Sequence, residues 1–432
     1  MQIQELYKLF LEHPSIQTDT RKLKKGDLFF ALKGPNFNGN LFAKQAIDAG
    51  AAYAIVDEEA VHADERIIKV NDVLHTLQEL AKHHRLQFIQ PSPAKQVPFI
   101  AITGSNGKTT SKELIHAVLS TTYKTYTTEG NLNNHIGIPL TILKVKNDAE
   151  IAIIEMGANH QKEIWEYCRY TMPTHGVITN CGKAHLEGFG SEEGIRKGKG
   201  ELFDYLRDNS GTAFVMWDYD YLQEMSTGIA HIVTYGTHSA GITGHITSSK
   251  GYLQVDITDG AEMDTIKTRM VGEYNLPNVL LAVAIGSYFN VPNEKIRSAL
   301  ENYIPSNSRS QLIEKGTNKI ILDAYNANPS SMKAAIENFA KMDGNDKVLM
   351  LGGMMELGPD SIREHQALID LVKQYPWKNV VLVGGDFNKT HHPYLNFENS
   401  SQAKEWYRQQ HFEHSNLLVK GSRSTQMEKV LE

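Results

Sequence analysis

The sequence predicts an α/β protein of three domains built on parallel sheets. The chain has 432 residues, and about 150 residues per domain corresponds to about three domains. Apolar, strand-like runs alternate with helix-length segments through most of the chain. In the last third these runs recur about every 30 residues, which is the length of one βαβ unit. We place the domains at residues 1–95, 96–304 and 305–432.

The first domain is predicted to be a small α/β unit. Residues 26–32 and 52–56 are strand-like, and residues 41–49 between them are helical in pattern. Residues 90–95 are polar and contain two prolines, which is typical of a linker.

The central domain is predicted to contain a doubly wound parallel sheet. Between residues 241 and 271 the pattern changes to short alternating segments with Gly and Asp turns, which indicates an antiparallel addition. The predicted strands are residues 98–102, 151–154, 176–179 and 212–215, and the predicted helices include residues 111–119 and 276–289.

The third domain is predicted to be a second, Rossmann-like parallel sheet that begins near residues 303–308. Glycines follow several of its strands, and open parallel sheets bind ligands at such strand ends, although ordinary turns would look the same. The predicted strands are residues 319–322, 347–351, 379–383 and 416–419.

Composition limits the function classes. Charged residues make up 22% of the chain and its formal net charge is −6, so no general attraction to nucleic acid is expected. No apolar run approaches the roughly 20 residues of a membrane span, and the N-terminus lacks a signal-peptide pattern. The two cysteines, Cys168 and Cys181, exclude a disulfide framework and are expected to be packing residues in a reducing compartment, the cytoplasm.

Residues 103–110, Thr-Gly-Ser-Asn-Gly-Lys-Thr-Thr, lie between a predicted strand and a predicted helix, as a phosphate-binding loop does. Glycines let backbone N–H groups turn toward a polyphosphate, Lys108 can reach the terminal phosphates, and Thr109 can hold Mg²⁺. The spacing between the glycines is shorter than in the usual P-loop, and a surface loop could carry this pattern by chance. The loop predicts ATP binding through Gly104, Ser105, Asn106, Gly107, Lys108, Thr109 and Thr110.

Three further candidate segments lie at the end of a predicted strand or shortly after one. Glu155 ends a strand and either coordinates magnesium or caps a helix, and the residues alone leave both interpretations open. His185 lies on a loop after a strand, where a lone histidine is ordinarily a surface or core residue. Residues 195–203 have the pattern of a solvated basic turn leading into a helix rather than of a catalytic lysine segment.

Taken together, these segments resemble the Mur ligase family of ATP-dependent amide ligases of the cell wall, over nearly the whole chain. Residues 18–21 and 26–34 look like the family's uridine-nucleotide domain, and residues 130–134 with 136–140 look like its loop near the phosphates and the substrate. Residues 185–191 and 323–329 resemble the branch that adds D-alanyl-D-alanine to a UDP-N-acetylmuramoyl-tripeptide.

The resemblance implies a metal site with two Mg²⁺ ions. Lys108 and Thr109 would hold the ATP phosphates and the first ion. Glu155 would bridge both ions and His185 would bind the second. Lys199 matches a lysine that the family carbamylates with carbon dioxide, which turns a cation into a metal-binding anion.

The resemblance also implies contacts to nucleotide and substrate. Asn275 and Asn278 match residues that contact adenine, although Asn275 could simply cap the next helix. Arg309 matches the arginine that reaches the γ-phosphate, and Asp323 matches the residue that meets the ribose. The substrate residues implied in the same way are Thr20, Arg21, Lys33, Asn133, Asn134, Asn326 and Asn328.

The sequence departs from the family pattern at a few positions, none of which is a phosphate or metal ligand. The family usually has histidine at Tyr274, aspartate at Gly353 and proline at Glu129, and Asp-Gly-His or similar at residues 38–40. At these positions the family's contacts to uracil, to the adenine edge and to the third domain do not carry over to this sequence in detail.

The implied reaction has two steps, formation of an acyl phosphate from the tripeptide carboxylate and ATP, and attack by the amine of D-alanyl-D-alanine. A monomer acting on small molecules is expected. The alternatives are another amino-acid ligase of the family, a folate polyglutamate synthase, which should lack the uridine-nucleotide segment, and a P-loop regulatory ATPase that forms no bond.

Overall fold

The computed structural model describes residues 1–59, 64–89, 96–306, 308–344 and 346–432. The predicted linker at residues 90–95 therefore lies outside the described residues. Within the described residues, no helix combines the length and the apolar character that crossing a membrane requires.

The N-terminal elements are short strands and helices, in the order α1 (Ile3–Glu12), β1 (Ile16–Gln17), β2 (Leu28–Phe30), β3 (Lys33–Gly34), β4 (Phe37–Asn38), α2 (Ala43–Asp48), β5 (Tyr53–Val56), β6 (Ile67–Lys69) and α3 (Val73–Leu86). The predicted helix at residues 41–49 is shorter than expected, because its first turn belongs to a 3₁₀ helix, Gly39–Phe42.

The central elements begin with β7 (Phe99–Thr103), α4 (Lys108–Leu119), β8 (Thr125–Thr127), α5 (Gly137–Leu143), β9 (Ile151–Glu155), α6 (Glu163–Thr171), β10 (His175–Ile178), α7 (Leu186–Phe189) and α8 (Glu192–Asp208). They continue with β11 (Thr212–Met216), α9 (Asp220–Ser226), β12 (His231–Gly236), β13 (Ile242–Ser248), β14 (Gln254–Asp259), β15 (Ile266–Lys267), α10 (Leu276–Tyr288) and α11 (Asn293–Asn302).

The C-terminal elements are β16 (Gln311–Lys315), β17 (Asn318–Asp323), α12 (Pro329–Lys341), β18 (Lys347–Gly352), α13 (Ser361–Val372), β19 (Asn379–Val383), β20 (Leu395–Phe397), α14 (Ser400–Gln410) and β21 (Asn416–Lys420).

The chain forms two compact units, and each is described by itself. The first unit consists of Met1–Ala101, Tyr123–Gly157 and Glu163–His175, and the second consists of Ile102–Thr122, Ala158–Lys162 and Gly176–Glu432.

In the first unit, an all-parallel sheet has the strand order β1-β2-β5-β6. Phe29, Ala46 and Ile47 are among the buried residues that pack α2 against this sheet. Strand β8 pairs in parallel with β9, with Thr125 opposite Ile151. Both strands predicted for the first domain are confirmed, and β1 and β6 extend the sheet on either side.

In the second unit, β11, β12 and β13 pair in parallel, and β13, β14 and β15 pair antiparallel. The predicted antiparallel addition is thus confirmed. Helix α10 contacts α4 as well as β11, β12 and β13, and nearly all of its side chains are buried. A helix that is apolar on all sides must be enclosed in this way.

The second unit also contains a C-terminal domain with a six-stranded sheet in the order β16-β17-β21-β18-β19-β20. All of its pairs are parallel except β16 with β17. Ile320, Val348 and Val419 lie in its core. The four predicted strands are confirmed, while β16 and β20 were not predicted.

The two cysteines are buried and form no disulfide. Burial raises the pKa of the Cys181 thiol to about 12, so Cys181 is a poor source of thiolate. This agrees with the packing role that the sequence predicts.

Candidate active site

The phosphate loop joins β7 to α4 and contains two glycines with positive φ. Gly104 has φ 139° and Gly107 has φ 83°. A Cβ at Gly104 would lie 2.0 Å from Thr179 Oγ1, and a Cβ at Gly107 would lie 2.7 Å from Asn278 Oδ1. Both positions therefore require glycine, for the backbone conformation and for the space.

The loop is fixed by residues that follow β10. The N–H of Ser105 donates to Asn180 O at 2.9 Å, and the N–H of Asn106 donates to Asn180 Oδ1 at 3.1 Å. Thr179 Oγ1 donates to Asn106 O at 2.6 Å. Ser105 Oγ donates to Gly182 O at 2.6 Å. These bonds organise the loop, and Thr179 and Asn180 were not predicted as site residues.

Lys108 and Thr109 begin helix α4. Lys108 Nζ folds back over the loop and donates to Gly104 O at 2.6 Å. Thr109 is 6% exposed. Backbone N–H groups and the positive end of the α4 dipole converge here, which is the arrangement that binds a phosphate. Lys108, Thr109 and Thr110 form the first turn of α4, and their contact with phosphate stays a prediction.

The predicted adenine residues form a buried chain of hydrogen bonds that ends on α4. Asn275 Nδ2 donates to Val271 O at 2.9 Å, and Asn278 Nδ2 donates to Asn275 Oδ1 at 2.9 Å. Ser111 Oγ then donates to Asn278 Oδ1 at 2.9 Å. Asn275 occupies the N-cap position of α10, but its side chain makes no capping bond. The capping interpretation is therefore wrong, and the adenine contact stays a prediction.

Two predicted site residues of the first unit contact each other. Glu155 at the end of β9 is 1% exposed, and its Oε1 accepts a hydrogen bond from Asn133 Nδ2 at 2.8 Å. Asn134 Oδ1 accepts from the N–H groups of Ile136 and Gly137, so Asn134 fixes the start of α5. The role of Glu155 as a magnesium ligand stays a prediction.

Lys199 in α8 is fully buried. Its Nζ donates to Ala158 O at 2.9 Å and lies 4.9 Å from the centre of the Phe189 ring. The carbamate on Lys199 stays a prediction.

His185 precedes α7 in a left-handed conformation, with φ 53°. Its Nδ1 lies beside Glu356 Oε2 of the C-terminal domain. The neighbouring His185 ring lowers the pKa of Glu356. The N–H of Glu187 donates to Glu356 O at 3.2 Å. Glu356 was not predicted to lie beside His185, because the two residues are far apart in the chain.

The C-terminal domain also contacts the phosphate loop. Asn328 Nδ2 donates to Asn106 Oδ1 at 2.8 Å, while Asn328 Oδ1 accepts from Ser331 N at 2.9 Å and caps α12. Lys183 N donates to Ser330 Oγ at 2.8 Å. Asn328, predicted as a substrate residue, thus bridges the start of α12 and the phosphate loop.

Asp323, predicted to meet the ribose, pairs with a lysine that was not predicted. Lys420 is 2% exposed and its Nζ lies 2.6 Å from Asp323 Oδ2. The same Nζ lies 3.3 Å from Asn326 O. The Arg309 guanidinium stacks on the Tyr325 ring at 3.6 Å. One strand end therefore holds Asp323, Arg309 and Asn326 close together.

The predicted uridine residues are exposed or paired locally. Arg21 forms an ion pair with Asp19 at 2.8 Å, and that hydrogen-bonded guanidinium lowers the pKa of Asp19 to about 2. Thr20 begins the 3₁₀ helix that Asp19 caps. Lys33 Nζ lies 2.9 Å from Asp57 Oδ1 and 3.0 Å from Glu58 Oε1. Asn38 and Asn40, which depart from the family pattern, bind these same two carboxylates.

The other departures have local explanations. A Cβ at Gly353 would lie 2.5 Å from the Gly385 Cα, so an aspartate does not fit this backbone. Tyr274 pairs its hydroxyl with Ser310 Oγ at 3.0 Å. Glu129 forms an ion pair with Lys144 at 2.5 Å.

The predicted metal ligands are a hydroxyl, a carboxylate, an imidazole and a lysine. Within the part of the chain that the structure describes, no group of three or more His, Cys, Asp and Glu side chains could hold a metal ion. The magnesium site therefore stays a prediction, in which a carbamate on Lys199 would supply the oxygen anion that Mg²⁺ prefers and that an ammonium cannot offer.

Comparison with known proteins identifies the family. Three family models match, the Mur ligase family catalytic domain at residues 14–85, the Mur ligase middle domain at residues 102–286 and the Mur ligase glutamate ligase domain at residues 308–422. A Bacillus subtilis relative named UDP-N-acetylmuramoyl-tripeptide–D-alanyl-D-alanine ligase is 38% identical over 79% of this chain and 74% of its own length. An Escherichia coli relative of the same name is 36% identical over 86% and 81%.

Solved structures agree. MurF from Acinetobacter baumannii superposes with a TM-score of 0.86 at 30% identity, covering 96% of this chain and 92% of that one. MurF ligase from Thermotoga maritima, in complex with ADP, gives a TM-score of 0.85 at 25% identity and covers 98% and 97%. These matches span all three predicted domains, and the chain belongs to the Mur ligase family.

Proposed function

We propose that the protein is an ATP-dependent ligase that adds D-alanyl-D-alanine to UDP-N-acetylmuramoyl-tripeptide in the synthesis of peptidoglycan precursors. The observation that carries this proposal is the match to relatives with that activity in their names, at 38% and 36% identity over most of both chains. The phosphate loop at residues 103–110 supports the use of ATP.

The reaction couples an unfavourable condensation to ATP. An oxygen of the tripeptide carboxylate attacks the γ-phosphorus, and ADP leaves with the bridging oxygen. The amine of D-alanyl-D-alanine then attacks the acyl carbon, phosphate leaves, and the amine loses a proton. Lys108 and the α4 N-terminus stabilise the negative charge of the phosphates, and Arg309 stabilises charge on the transferred group.

The second part of the proposal concerns the metal. Thr109, Glu155, His185 and a carbamylated Lys199 would hold two Mg²⁺ ions. Bound magnesium would offset the repulsion between carboxylate and triphosphate. The match of Lys199 to the family's Lys-Gly-Glu segment after the His185 loop supports the carbamate.

The remaining contacts are proposed from the resemblance. Asn275, Asn278 and Asp323 would bind the nucleoside of ATP. Thr20, Arg21 and Lys33 would bind the uridine nucleotide, and Asn133, Asn134, Asn326 and Asn328 would bind the rest of the substrate. A monomer in the cytoplasm is expected, and sedimentation of the purified chain would test the oligomeric state.

The rival functions have less support. The folylpolyglutamate synthase of Thermotoga maritima has a TM-score of 0.59 at 13% identity, which establishes a shared fold alone. The match of residues 14–85 to a Mur ligase model favours a muramoyl substrate. A regulatory ATPase would have no need of that segment.

The test is phosphate release from ATP in the presence of UDP-N-acetylmuramoyl-tripeptide, D-alanyl-D-alanine, both or neither. The proposal predicts sustained release only with both. A regulatory ATPase would release phosphate without either substrate, and a folate polyglutamate synthase would need a folate and glutamate.

A further inference from the structure

The last strand of the C-terminal domain ends in a buried lysine to which neither the phosphate site nor the metal site gives a role. Lys420 ends β21 and is 2% exposed. Its Nζ donates to Asp323 Oδ2 at 2.6 Å and to Asn326 O at 3.3 Å. Strand β17 places Asp323 directly opposite Lys420, so the sheet register itself brings the two together. A buried ammonium group is costly unless it is paired, and here the pair is complete.

The carboxylate that Lys420 holds lies next to the chain segment that carries Arg309. Asp323 Oδ1 accepts a hydrogen bond from Ser310 N at 3.3 Å. Ser310 has φ 46°, and its Oγ pairs with the Tyr274 hydroxyl at 3.0 Å, which holds this turn in place. Arg309 directly precedes Ser310, so its side chain starts beside Asp323. Because guanidinium and carboxylate groups form strong paired hydrogen bonds, Asp323 would be an ion-pair partner for Arg309 if nothing else held it.

Arg309 does not make that pair. Its guanidinium carbon instead lies 3.6 Å from the centre of the Tyr325 ring. Among the described residues, Arg309 has no ion-pair partner. Lys420 already holds the carboxylate that lies nearest along the chain, so the Arg309 guanidinium stays available to an anionic ligand.

The second guanidinium at this ring has a carboxylate of its own. The guanidinium carbon of Arg423 lies 5.6 Å from the centre of the Tyr325 ring, and its Nη1 lies 3.7 Å from Glu428 Oε1. Of the two arginines described at Tyr325, Arg309 is therefore the one whose charge no carboxylate offsets.

We propose that Lys420 is a positioning residue, which occupies the Asp323 carboxylate and thereby leaves Arg309 free for the γ-phosphate of ATP. This inference rests on the proposed function, in which Arg309 stabilises charge on the transferred group. Lys420 is itself buried, so it neutralises Asp323 without offering the ligand a second cation. It touches no reacting atom and acts through Arg309.

The test compares the affinities for ADP and for the non-hydrolysable ATP analogue AMP-PNP, measured by calorimetry in one magnesium-containing buffer. The two nucleotides differ in the γ-phosphate group, so the ratio of their affinities reports on Arg309 and cancels any change that weakens both equally. The variants are Lys420→Met alone, with Asp323→Asn, and with Arg309→Ala, together with Arg309→Ala alone. Lys319→Met, at an exposed lysine of β17, is the matched control.

Lys420→Met should lower the ratio of AMP-PNP to ADP affinity about 10- to 100-fold, because Asp323 then pairs with Arg309. Adding Asp323→Asn should restore most of the ratio, because a neutral amide holds a guanidinium less strongly than a carboxylate does. Lys420→Met should cause no further change when Arg309 is already alanine, and Lys319→Met should match the parent chain.

A parent-like ratio in Lys420→Met would overturn the inference, and so would equal losses of AMP-PNP and ADP affinity, which indicate a purely structural role. A parent-like ratio in Arg309→Ala would overturn it as well, because Arg309 would then not reach the γ-phosphate. If the parent chain binds both nucleotides but forms no amide, the proposed function fails, while the ratio still decides the role of Lys420. If Lys420→Met does not fold, Lys420→Gln, which keeps a donor to Asp323 without the charge, provides the same comparison and should lower the ratio by a smaller factor.

Discussion

At the scale of single residues, hydrogen bonds within the protein hold Lys108 and the phosphate loop in place. Lys108 donates to Gly104 O at 2.6 Å, which is the position from which it can turn to a phosphate. The loop glycines and the bonds to Thr179 and Asn180 also hold the loop backbone, so the loop does not depend on the Lys108 side chain alone.

Replacing Lys108 with alanine should therefore abolish ligation and leave the fold intact. A loss of about 100- to 1,000-fold in kcat is expected for one charged group that stabilises transferring phosphate. Product formation and thermal unfolding would be measured together, with Lys144→Ala, an exposed cation paired with Glu129, as the control. Near-normal turnover in Lys108→Ala would remove the phosphate-loop assignment.

Lys199 provides a second residue-scale prediction. Lys199→Ala should be inactive, because the metal site loses its carbamate anion, and a small carboxylic acid should partly restore turnover by supplying an anion. Labelled carbon dioxide should give one carbamate ¹³C signal in the parent chain that is missing from Lys199→Ala. An active alanine variant, together with an unmodified Lys199 in a magnesium- and nucleotide-bound crystal, would contradict the prediction.

At the scale of elements, the start of α12 has two functions in one side chain. Asn328 Oδ1 caps the helix, and Asn328 Nδ2 binds Asn106 of the phosphate loop. Serine is as good an N-cap as asparagine but has no amide to reach the loop. The two functions can therefore be separated by a single substitution.

Asn328→Ser should change the unfolding free energy by only a few tenths of a kcal/mol, since the cap is retained. It should raise the KM for ATP, because the phosphate loop loses its bond to the C-terminal domain. Asn328→Ala, which loses both bonds, should lower stability by about 1 kcal/mol as well. Equal stability losses in the two variants would show that the cap is not what Asn328 contributes.

The sequence predicted the elements that have a clear apolar run, such as β7, β9, β18 and β19. It missed β1, β6, β16 and β20, which are short or partly exposed, so their pairing depends on neighbouring strands. The phosphate loop was predictable because glycine, lysine and threonine occur together in a short span. Glu356 and Lys420 were not, since each becomes a site residue only when distant parts of the chain fold together.

At the scale of the whole molecule, the second compact unit brings the phosphate loop, the His185 loop and the C-terminal domain into contact. Two contacts join the C-terminal domain to these loops: Asn328 contacts Asn106, and Glu356 contacts His185. A ligase of this kind must bring ATP and two substrates together and exclude water from the acyl phosphate. These contacts join the C-terminal domain to the phosphate loop and to the His185 loop.

The central claim is that the incoming nucleophile is a dipeptide. The measurement is the mass of the product after UDP-N-acetylmuramoyl-tripeptide and ATP are incubated separately with D-alanyl-D-alanine, D-alanine or L-lysine, using acceptors with lysine and with meso-diaminopimelate at the third position. The account predicts that only D-alanyl-D-alanine is added efficiently, with one ADP and one phosphate for each product. Efficient addition of a single amino acid, with D-alanyl-D-alanine left unused, would contradict it and place the chain in another branch of the family.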